Sequence, residues 1–161
     1  MSTLTLSDLR TPRALGLLAL FLAIVIGVGA VIGISTAPGE WYAELNKPPF
    51  NPPNWVFGPV WFTLYVLIAV SGWRTFMAGP NSPTMKLWYG QMALNWLWSP
   101  VWFGLHLIWP AFIVILAIDA LVLIFIARSW PRDRVSAWLF VPYAAWVLFA
   151  SLLNLSIGIL N

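Results

Sequence analysis

Long apolar stretches without a formal charge follow one another along almost the whole chain. They cover residues 14–39, 48–73, 87–118 and 135–161. A helix that crosses the hydrocarbon core of a bilayer needs about 20 such residues, so the third stretch is too long for one helix. We divide it at Trp109-Pro110, because proline fits the first turn of a helix but interrupts a continuing one. The pattern therefore predicts an all-α membrane protein, one five-helix transmembrane bundle over residues 1–161, with helices at about 13–35, 54–77, 84–106, 109–129 and 134–159.

The composition agrees with a membrane location and excludes several classes of protein. Hydrophobic residues make up 61% of the 161 positions, charged residues make up 8%, and the mean hydropathy is +0.85. A soluble domain carries about 25% charged residues, and disorder requires low hydrophobicity, so neither class fits. The sequence has no cysteine, which removes disulfides and thiolate chemistry, and it shows no acid pair, Ser/His/Asp set, phosphate loop or metal-ligand spacing. We therefore expect no metal site.

The basic residues are divided unevenly between the two ends of the predicted bundle. With five spans, the N-terminus and the 2–3 and 4–5 loops share one side, which carries seven of the eight Lys and Arg residues, whereas the other side carries Lys47 alone. Cytoplasmic loops are enriched in Lys and Arg. This predicts a multi-pass protein of the bacterial plasma (inner) membrane, with its N-terminus in the cytoplasm and its C-terminus outside. The sequence pI of 9.7 reflects this topology, so nucleic acid is not an expected partner.

The loop between the first two predicted helices combines aromatic residues with closely spaced prolines. Pro48, Pro49, Pro52 and Pro53 stiffen it, because each fixes its own φ and restricts the residue before it. A stiff aromatic segment across one end of the bundle is typical of a lid. The alternative is an interfacial loop whose Trp and Tyr side chains lie at headgroup level.

Polar and aromatic side chains recur at helical spacing on three of the predicted helices. Amide groups within hydrocarbon are costly unless they are paired, so these faces should point into the bundle. In the predicted topology they lie in the outer half, together with Trp55, beneath the proline-rich loop, which indicates a pocket. The faces consist of Trp61 and Tyr65; of Gln91, Asn95, Trp98, Ser99 and Trp102; and of Tyr143, Trp146, Ala150 and Asn154.

Nine of the 12 tryptophans fall into two groups by their position in the predicted spans. An interfacial belt explains those near span ends, namely Trp73, Trp88, Trp109, Trp130 and Trp138. It does not explain those well inside the spans, namely Trp96, Trp98, Trp102 and Trp146. The second group either fills space or forms the aromatic wall of a cavity for a flat apolar ligand, and for the cluster as a whole we favour the cavity.

Three further features have two interpretations each. Asp119, the one acid within a span, could relay protons or contact a ligand, but we prefer a protonated acid bonded to a neighbouring helix or an oligomer partner. His106 is the one histidine, and its position at the outer end of the third helix is more typical of an interfacial residue than of a ligand. Gly29 and Gly33 form a Gly-x-x-x-Gly pair, which permits close helix contact and also occurs at dimer interfaces.

Motifs in three parts of the chain have counterparts in one known family. The first part contains Trp41-Tyr42, Lys47-Pro48, Asn51-Pro52-Pro53, Trp55, Pro59-Val60-Trp61 and Leu64-Tyr65. The second contains Gln91, Asn95, Trp98 and Phe103-Gly104, and the third contains Val141-Pro142-Tyr143, Trp146, Phe149-Ala150 and Leu153-Asn154. Together they resemble the TspO/MBR family, the tryptophan-rich sensory proteins of bacteria that are related to the mitochondrial translocator protein.

The resemblance implies a five-helix bundle, often a homodimer, that binds porphyrins and other flat hydrophobic ligands beneath the first loop. Family members are also linked to oxidative or light-driven breakdown of protoporphyrin, and the resemblance implicates Trp55 and Trp146 in it. In animal members a Tyr and an Arg near the end of the last helix form a cholesterol-recognition pattern. Leu155 and Ile159 occupy those positions here, so sterol import is not expected.

We therefore expect a membrane receptor-like protein that binds tetrapyrroles in stress response or tetrapyrrole regulation. Protoporphyrin or haem is the expected ligand, no cofactor is obligatory, and the expected partners are the bilayer and a second copy of the chain. The alternative is an enzyme that degrades porphyrin, with Trp55 and Trp146 as catalytic residues, and a tetrapyrrole transporter is the third hypothesis. The expected ligand-binding residues are Trp55, Trp61, Tyr65, Asn95, Trp98, Trp102, Tyr143, Trp146, Ala150 and Asn154.

Overall fold

The computed structural model describes residues 6–161 as a set of packed helices. Residues 1–5, which the predicted bundle includes, lie outside the described residues. The helices are α1 (Leu6–Leu9), α2 (Pro12–Ser35), α3 (Glu40–Glu44), α4 (Asn54–Ala78), α5 (Pro83–Ser99), a π-helical segment (Pro100–Gly104), α6 (Ile108–Ser129) and α7 (Arg134–Leu160). Within the described residues, α2, α4, α6 and α7 are long and apolar enough to cross a membrane.

The helix starts follow local capping chemistry. Thr11 caps α2 by accepting a hydrogen bond from the Ala14 N–H at 3.2 Å, and Ser82 caps α5 by accepting one from Met85 at 3.1 Å. In both helices proline occupies the first helical position, where its missing N–H leaves no bond unmade. These starts lie within one residue of those expected from the sequence.

The third predicted helix, 84–106, differs from the structure at its end. The α-helix α5 ends at Ser99, because Pro100 lacks the N–H that would continue the α-helical ladder. The chain continues as a π-helix, in which Leu105 donates to the Pro100 carbonyl at 2.9 Å. His106 then adopts a φ of 58°, and α6 begins at Ile108. The expected helix is therefore a 17-residue α-helix extended by a π-helical segment.

The bundle has two ends that are closed in different ways. We call the end that holds α3 the α3 end; there α2 ends, α4 begins and α7 finishes. Asn161, which follows α7, exchanges hydrogen bonds with Asn46, since the Asn46 N–H donates to Asn161 Oδ1 at 2.9 Å and Asn161 Nδ2 donates to the Asn46 carbonyl at 3.0 Å. We call the other the opposite end; there Arg74 on α4 binds Asp133 before α7 at 2.9 Å.

In the interior of the bundle, α6 packs along both α5 and α7, and α4 packs along both α2 and α7. Phe125 and Phe140 stack there with ring centroids 4.0 Å apart. The belt interpretation is wrong for Trp73 and Trp88, which are both buried. Their indole N–H groups donate to the Ala14 and Ile68 carbonyls, so these two rings bind helices together. Trp109, Trp130 and Trp138 are exposed, as expected of belt residues.

Candidate functional site

A cavity of about 540 Å³ occupies the half of the bundle near the α3 end. Side chains from α2, α4, α5, the π-helical segment, α6 and α7 all line it, and Tyr42 of α3 covers part of it. The lining includes eight of the residues expected to bind ligand: Trp61, Tyr65, Asn95, Trp98, Trp102, Trp146, Ala150 and Asn154. The faces that the sequence places on separate helices therefore meet around one space.

Aromatic rings form much of the cavity wall. Trp98 and Trp102 lie parallel, with ring centroids 5.7 Å apart and an interplanar angle of 10°. Trp41 of α3 packs edge-on against Trp102 at 5.8 Å, and Phe57 packs edge-on against Trp146 at 5.9 Å. Pro100 lies between Trp98 and Trp102, and the π-helical segment that begins at Pro100 contributes Trp102 to this wall.

A chain of hydrogen bonds runs from the cavity wall into the bundle. Tyr65 on α4 donates to Asn95 Oδ1 at 3.1 Å, and Asn95 Nδ2 donates to the Tyr143 hydroxyl at 2.9 Å. The Tyr143 hydroxyl in turn donates to Gln91 Oε1 at 2.9 Å. The chain joins α4, α5 and α7, so it fixes the orientation of the two lining side chains, Tyr65 and Asn95.

Tyr143 itself does not line the cavity, which corrects its expected role as a ligand contact. Its ring is fully buried, and its hydroxyl is committed to Asn95 and Gln91. The reason is helical geometry: Trp146 and Ala150 on α7 face the cavity, whereas Tyr143 lies one turn further from the α3 end. Tyr143 supports Asn95 from behind.

Trp55 also lies outside the cavity, although the family motif places it among the pocket residues. Its side chain is 76% exposed. The residues of α4 that line the cavity are Asn54, Phe57, Gly58, Trp61, Phe62 and Tyr65, and Trp55 is not among them. Trp55 lies instead on the outer surface at the start of α4.

The wall contributed by α2 was not expected from the sequence. Gly29 and Gly33 both line the cavity, but Gly29 is buried against α4 whereas Gly33 is exposed at the edge of the cavity. A Cβ added at Gly29 would lie 2.3 Å from the Tyr65 ring, so a larger residue there would require this ring to shift. The neighbours of Gly29 on α2 carry only apolar side chains and offer no signal in an uncharged span. The spacing of the two glycines was the one available clue.

The lining of the cavity carries no formal charge among the described residues. Among the described residues that line it, none is Asp, Glu, Lys, Arg or His. Burial raises the pKa of Tyr42, and its hydrogen bond to Asn51 at 2.9 Å opposes the shift. The Tyr42 hydroxyl is therefore neutral and holds the proline-rich segment against α3. Lys47 donates to the Ala43 and Leu45 carbonyls at 3.0 Å.

Asp119 and His106 both have partners within the chain. Asp119 on α6 is buried and accepts a hydrogen bond from the Ser151 hydroxyl of α7 at 2.6 Å, so its partner is a neighbouring helix. His106 is exposed and stacks on Trp41, with ring centroids 4.3 Å apart. Residues 6–161 contain no group of His, Asp or Glu side chains that could hold a metal ion.

Comparison with known proteins agrees with this arrangement. The profile of the TspO/MBR family matches residues 19–160. The chain is 36% identical over 152 residues to Protein CrtK of Rhodobacter capsulatus, which covers 92% of this chain and 94% of that protein. It is 37% identical over 150 residues to Tryptophan-rich protein TspO of Archaeoglobus fulgidus, covering 91% of this chain and 97% of that one.

A similarity of comparable extent reaches animal proteins. The chain is 31% identical over 135 residues to the human Translocator protein, which covers 79% of this chain and 80% of that protein. With the family profile matching nearly the whole helical bundle, the chain belongs to the TspO/MBR family of membrane proteins.

Proposed function

We propose that this protein is a receptor-like integral membrane protein that binds porphyrins and similar flat hydrophobic ligands, in stress response or tetrapyrrole regulation. The observation that carries the proposal is the cavity of about 540 Å³ with aromatic walls and no charged lining residue among those described. Its volume lies within the range of about 300–1,000 Å³ that is typical of small-molecule sites. A flat apolar molecule gains affinity there from burial and from ring stacking.

The lining side chains suggest how such a ligand is held. The parallel rings of Trp98 and Trp102 offer a flat surface, and Trp146 bounds the space from α7. Asn95 and Tyr65 are fixed by their mutual hydrogen bond and present polar groups on an otherwise apolar wall. In this proposal stacking supplies most of the affinity, and the amide of Asn95 orients the ligand.

The proposal includes the arrangement in the membrane. We infer five spans, with α5 and the π-helical segment together forming the third, since they run without interruption over Pro83–Gly104. The excess of Lys and Arg at the opposite end favours a cytoplasmic N-terminus and the α3 end outside, in a bacterial inner membrane. A homodimer remains part of the proposal.

The test is a titration of the purified protein with protoporphyrin, followed by the absorbance and fluorescence of the porphyrin rather than by tryptophan emission. We expect Trp146→Leu to weaken binding by about two- to tenfold, because an aromatic contact contributes about 0.5–1.5 kcal/mol beyond buried area. Trp138→Leu is the matched control, since Trp138 lies on the same helix but is exposed and outside the cavity. Equal affinities of both variants and the wild type would reject the cavity as the binding site.

Trp55→Leu separates the family-based expectation from the geometry. Because the Trp55 ring lies outside the cavity, we expect this variant to bind protoporphyrin with wild-type affinity. A loss as large as that of Trp146→Leu would show that the start of α4 rearranges to bring Trp55 onto the ligand.

Light-driven porphyrin degradation is the second candidate, favoured by the position of Trp146 in the cavity wall, where an indole ring would contact a bound porphyrin. This activity predicts new product spectra that require both light and oxygen. Trp146→Phe should abolish them while porphyrin binding persists. Product spectra that persist unchanged in this variant would contradict a role for Trp146.

A further inference from the structure

The walls of the cavity differ in their exposure. The lining residues on α5, α6 and α7 are buried or half-buried. The exposed lining residues belong to α2 and α4 and to the segments at their ends; on the facing sides of the two helices they include Gly33, Ile34, Gly58 and Phe62. Ile34 is 81% exposed and Phe62 is 58% exposed. The cavity is therefore open at its side, between α2 and α4.

The two helices touch along most of their length and separate only near the α3 end. Trp73 on α4 donates to the Ala14 carbonyl of α2 at 2.8 Å, close to the opposite end. Further along, Gly29 lies directly against the Tyr65 ring. One turn beyond Gly29, a Cβ built on Gly33 would meet no heavy atom of the described chain within 4 Å, and the same holds for Gly58 on α4. The contact between α2 and α4 therefore ends on the side of the Gly29–Tyr65 pair that is nearer the α3 end.

A hydrogen bond beside this gap joins α2 to α5. The Thr36 and Ser99 hydroxyls lie 2.7 Å apart and join the end of α2 to the end of α5. This bond holds the end of α2 toward α5 at the level where α2 and α4 are apart. The absence of side chains at Gly33 and Gly58 widens the same gap.

In the proposed membrane arrangement the gap faces the lipid rather than water. Its edge on α2 lies within an uninterrupted apolar sequence, and the neighbouring Val31 is 64% exposed. An exposed apolar surface of this kind on a spanning helix contacts acyl chains. A molecule dissolved in the bilayer can therefore reach the cavity without passing α3.

We infer that the opening between α2 and α4, bounded by Gly33, Gly58 and Phe62, is the route by which ligands pass between the bilayer and the cavity. The inference rests on the proposed function and specifies its ligands as flat, lipid-dissolved molecules. Polar substituents of such a ligand stay near the α3 end, since the described lining offers no charge to pair with them. The proline-rich segment and α3 then act as a fixed cover, not as the passage.

The test measures rates of binding to the full-length protein in phospholipid nanodiscs. The probes are protoporphyrin and pyrene, a neutral flat hydrocarbon, each followed by its own fluorescence after rapid mixing with ligand-loaded vesicles. We expect Gly33→Leu to lower the association rate and the dissociation rate together by about tenfold, because a narrowed passage raises the barrier in both directions. Phe62→Ala, which widens the opening, should raise both rates.

The matched control is Gly27→Leu. Gly27 lies on the same helix and is also free of neighbours within 4 Å, but it does not line the cavity. It reports any general cost of a leucine on the lipid-facing side of α2, and its rates should equal those of the wild type. Helicity and monodispersity of each variant establish that it is folded.

The outcomes separate the two proposals. Wild-type rates for Gly33→Leu with either probe would overturn the lateral route while leaving ligand binding intact. A faster dissociation without slower association would show that the introduced leucine side chain merely displaces ligand, which also overturns it. If pyrene binds through the gap and protoporphyrin does not bind, the tetrapyrrole function fails and the route stands. Binding of neither probe to the wild type would overturn both.

Discussion

Tyr143 shows how a single hydroxyl supports the cavity wall without lining the cavity. It accepts from Asn95 Nδ2 and donates to Gln91 Oε1, both on α5. Gln91 Nε2 already lacks a hydrogen-bond partner among the described residues. A second unsatisfied group at this place is expensive, because a buried polar atom without a partner costs about 1–3 kcal/mol.

We therefore expect Tyr143→Phe to lower the free energy of unfolding by about 1–3 kcal/mol, since it leaves the amides of Asn95 and Gln91 short of one partner each. The ring remains, so packing is retained. Thermal unfolding in detergent measures the effect. Tyr89→Phe is the control, because Tyr89 is exposed and the same hydroxyl is lost there at the surface. An equal change in both variants would contradict a structural role for the chain of hydrogen bonds.

Residue identity alone could predict which helical faces meet, but not the partner of each ring. Trp73 and Trp109 both lie near the ends of predicted spans, and spacing cannot separate them. In the structure the Trp73 indole N–H donates to the Ala14 carbonyl, which requires α2 and α4 to pack together near the opposite end. Trp55 was misplaced for a related reason, since a motif specifies the residue and not the direction in which the first turn of α4 points.

Among the elements, the end of α5 departs most from expectation. Uncharged spans predict a helix well because length and hydrophobicity are read directly from the sequence. The point at which the helix changes from α to π depends on the missing N–H of Pro100 and on the backbone hydrogen bonds that the residues after it can form. Proline at a helix end and proline within a span look alike in sequence, and Trp109-Pro110 was the more conspicuous break.

The π-helical segment should matter for ligand binding. We expect Pro100→Ala to restore the N–H and favour a continuous α-helix, which turns Trp102 away from its parallel position beside Trp98. Porphyrin affinity should then fall, and the circular-dichroism signal of the paired indoles should weaken. Pro142→Ala is the control, because Pro142 lies inside α7 without changing the helix type. Unaltered indole coupling in Pro100→Ala would contradict this account.

At the scale of the whole molecule, the opposite end is held by an ion pair that links α4 to the start of α7. Arg74 Nε and Nη2 both donate to Asp133, at 3.0 and 2.9 Å, and the Ser136 hydroxyl donates to Asp133 Oδ2 at 2.6 Å. Burial alone would raise the pKa of Asp133, but the hydrogen bonds and charge of Arg74 and the bonds from Ser136 outweigh it and lower that pKa.

This lowered pKa gives stability a defined dependence on pH. The carboxylate is favoured in the folded state, so its contribution is fully present above the unfolded pKa of about 3.9 and is lost as pH falls through the lower folded value. We expect wild-type thermal stability to decline below about pH 4. Asp133→Asn should be less stable at neutral pH and should lose this part of the acid dependence. Parallel pH profiles of the two proteins would contradict the assignment.

The opening between α2 and α4 changes what an affinity means for this protein. A cavity that exchanges with acyl chains has lipid tails as competitors, so the reference state of a bound ligand is its solution in the bilayer. Different ligands should therefore be compared at equal mole fraction in the membrane, and not at equal aqueous concentration. Two ligands of equal fit but unequal partitioning would differ in apparent potency by their partition ratio alone. Ranking compounds for this site requires that partition to be measured first.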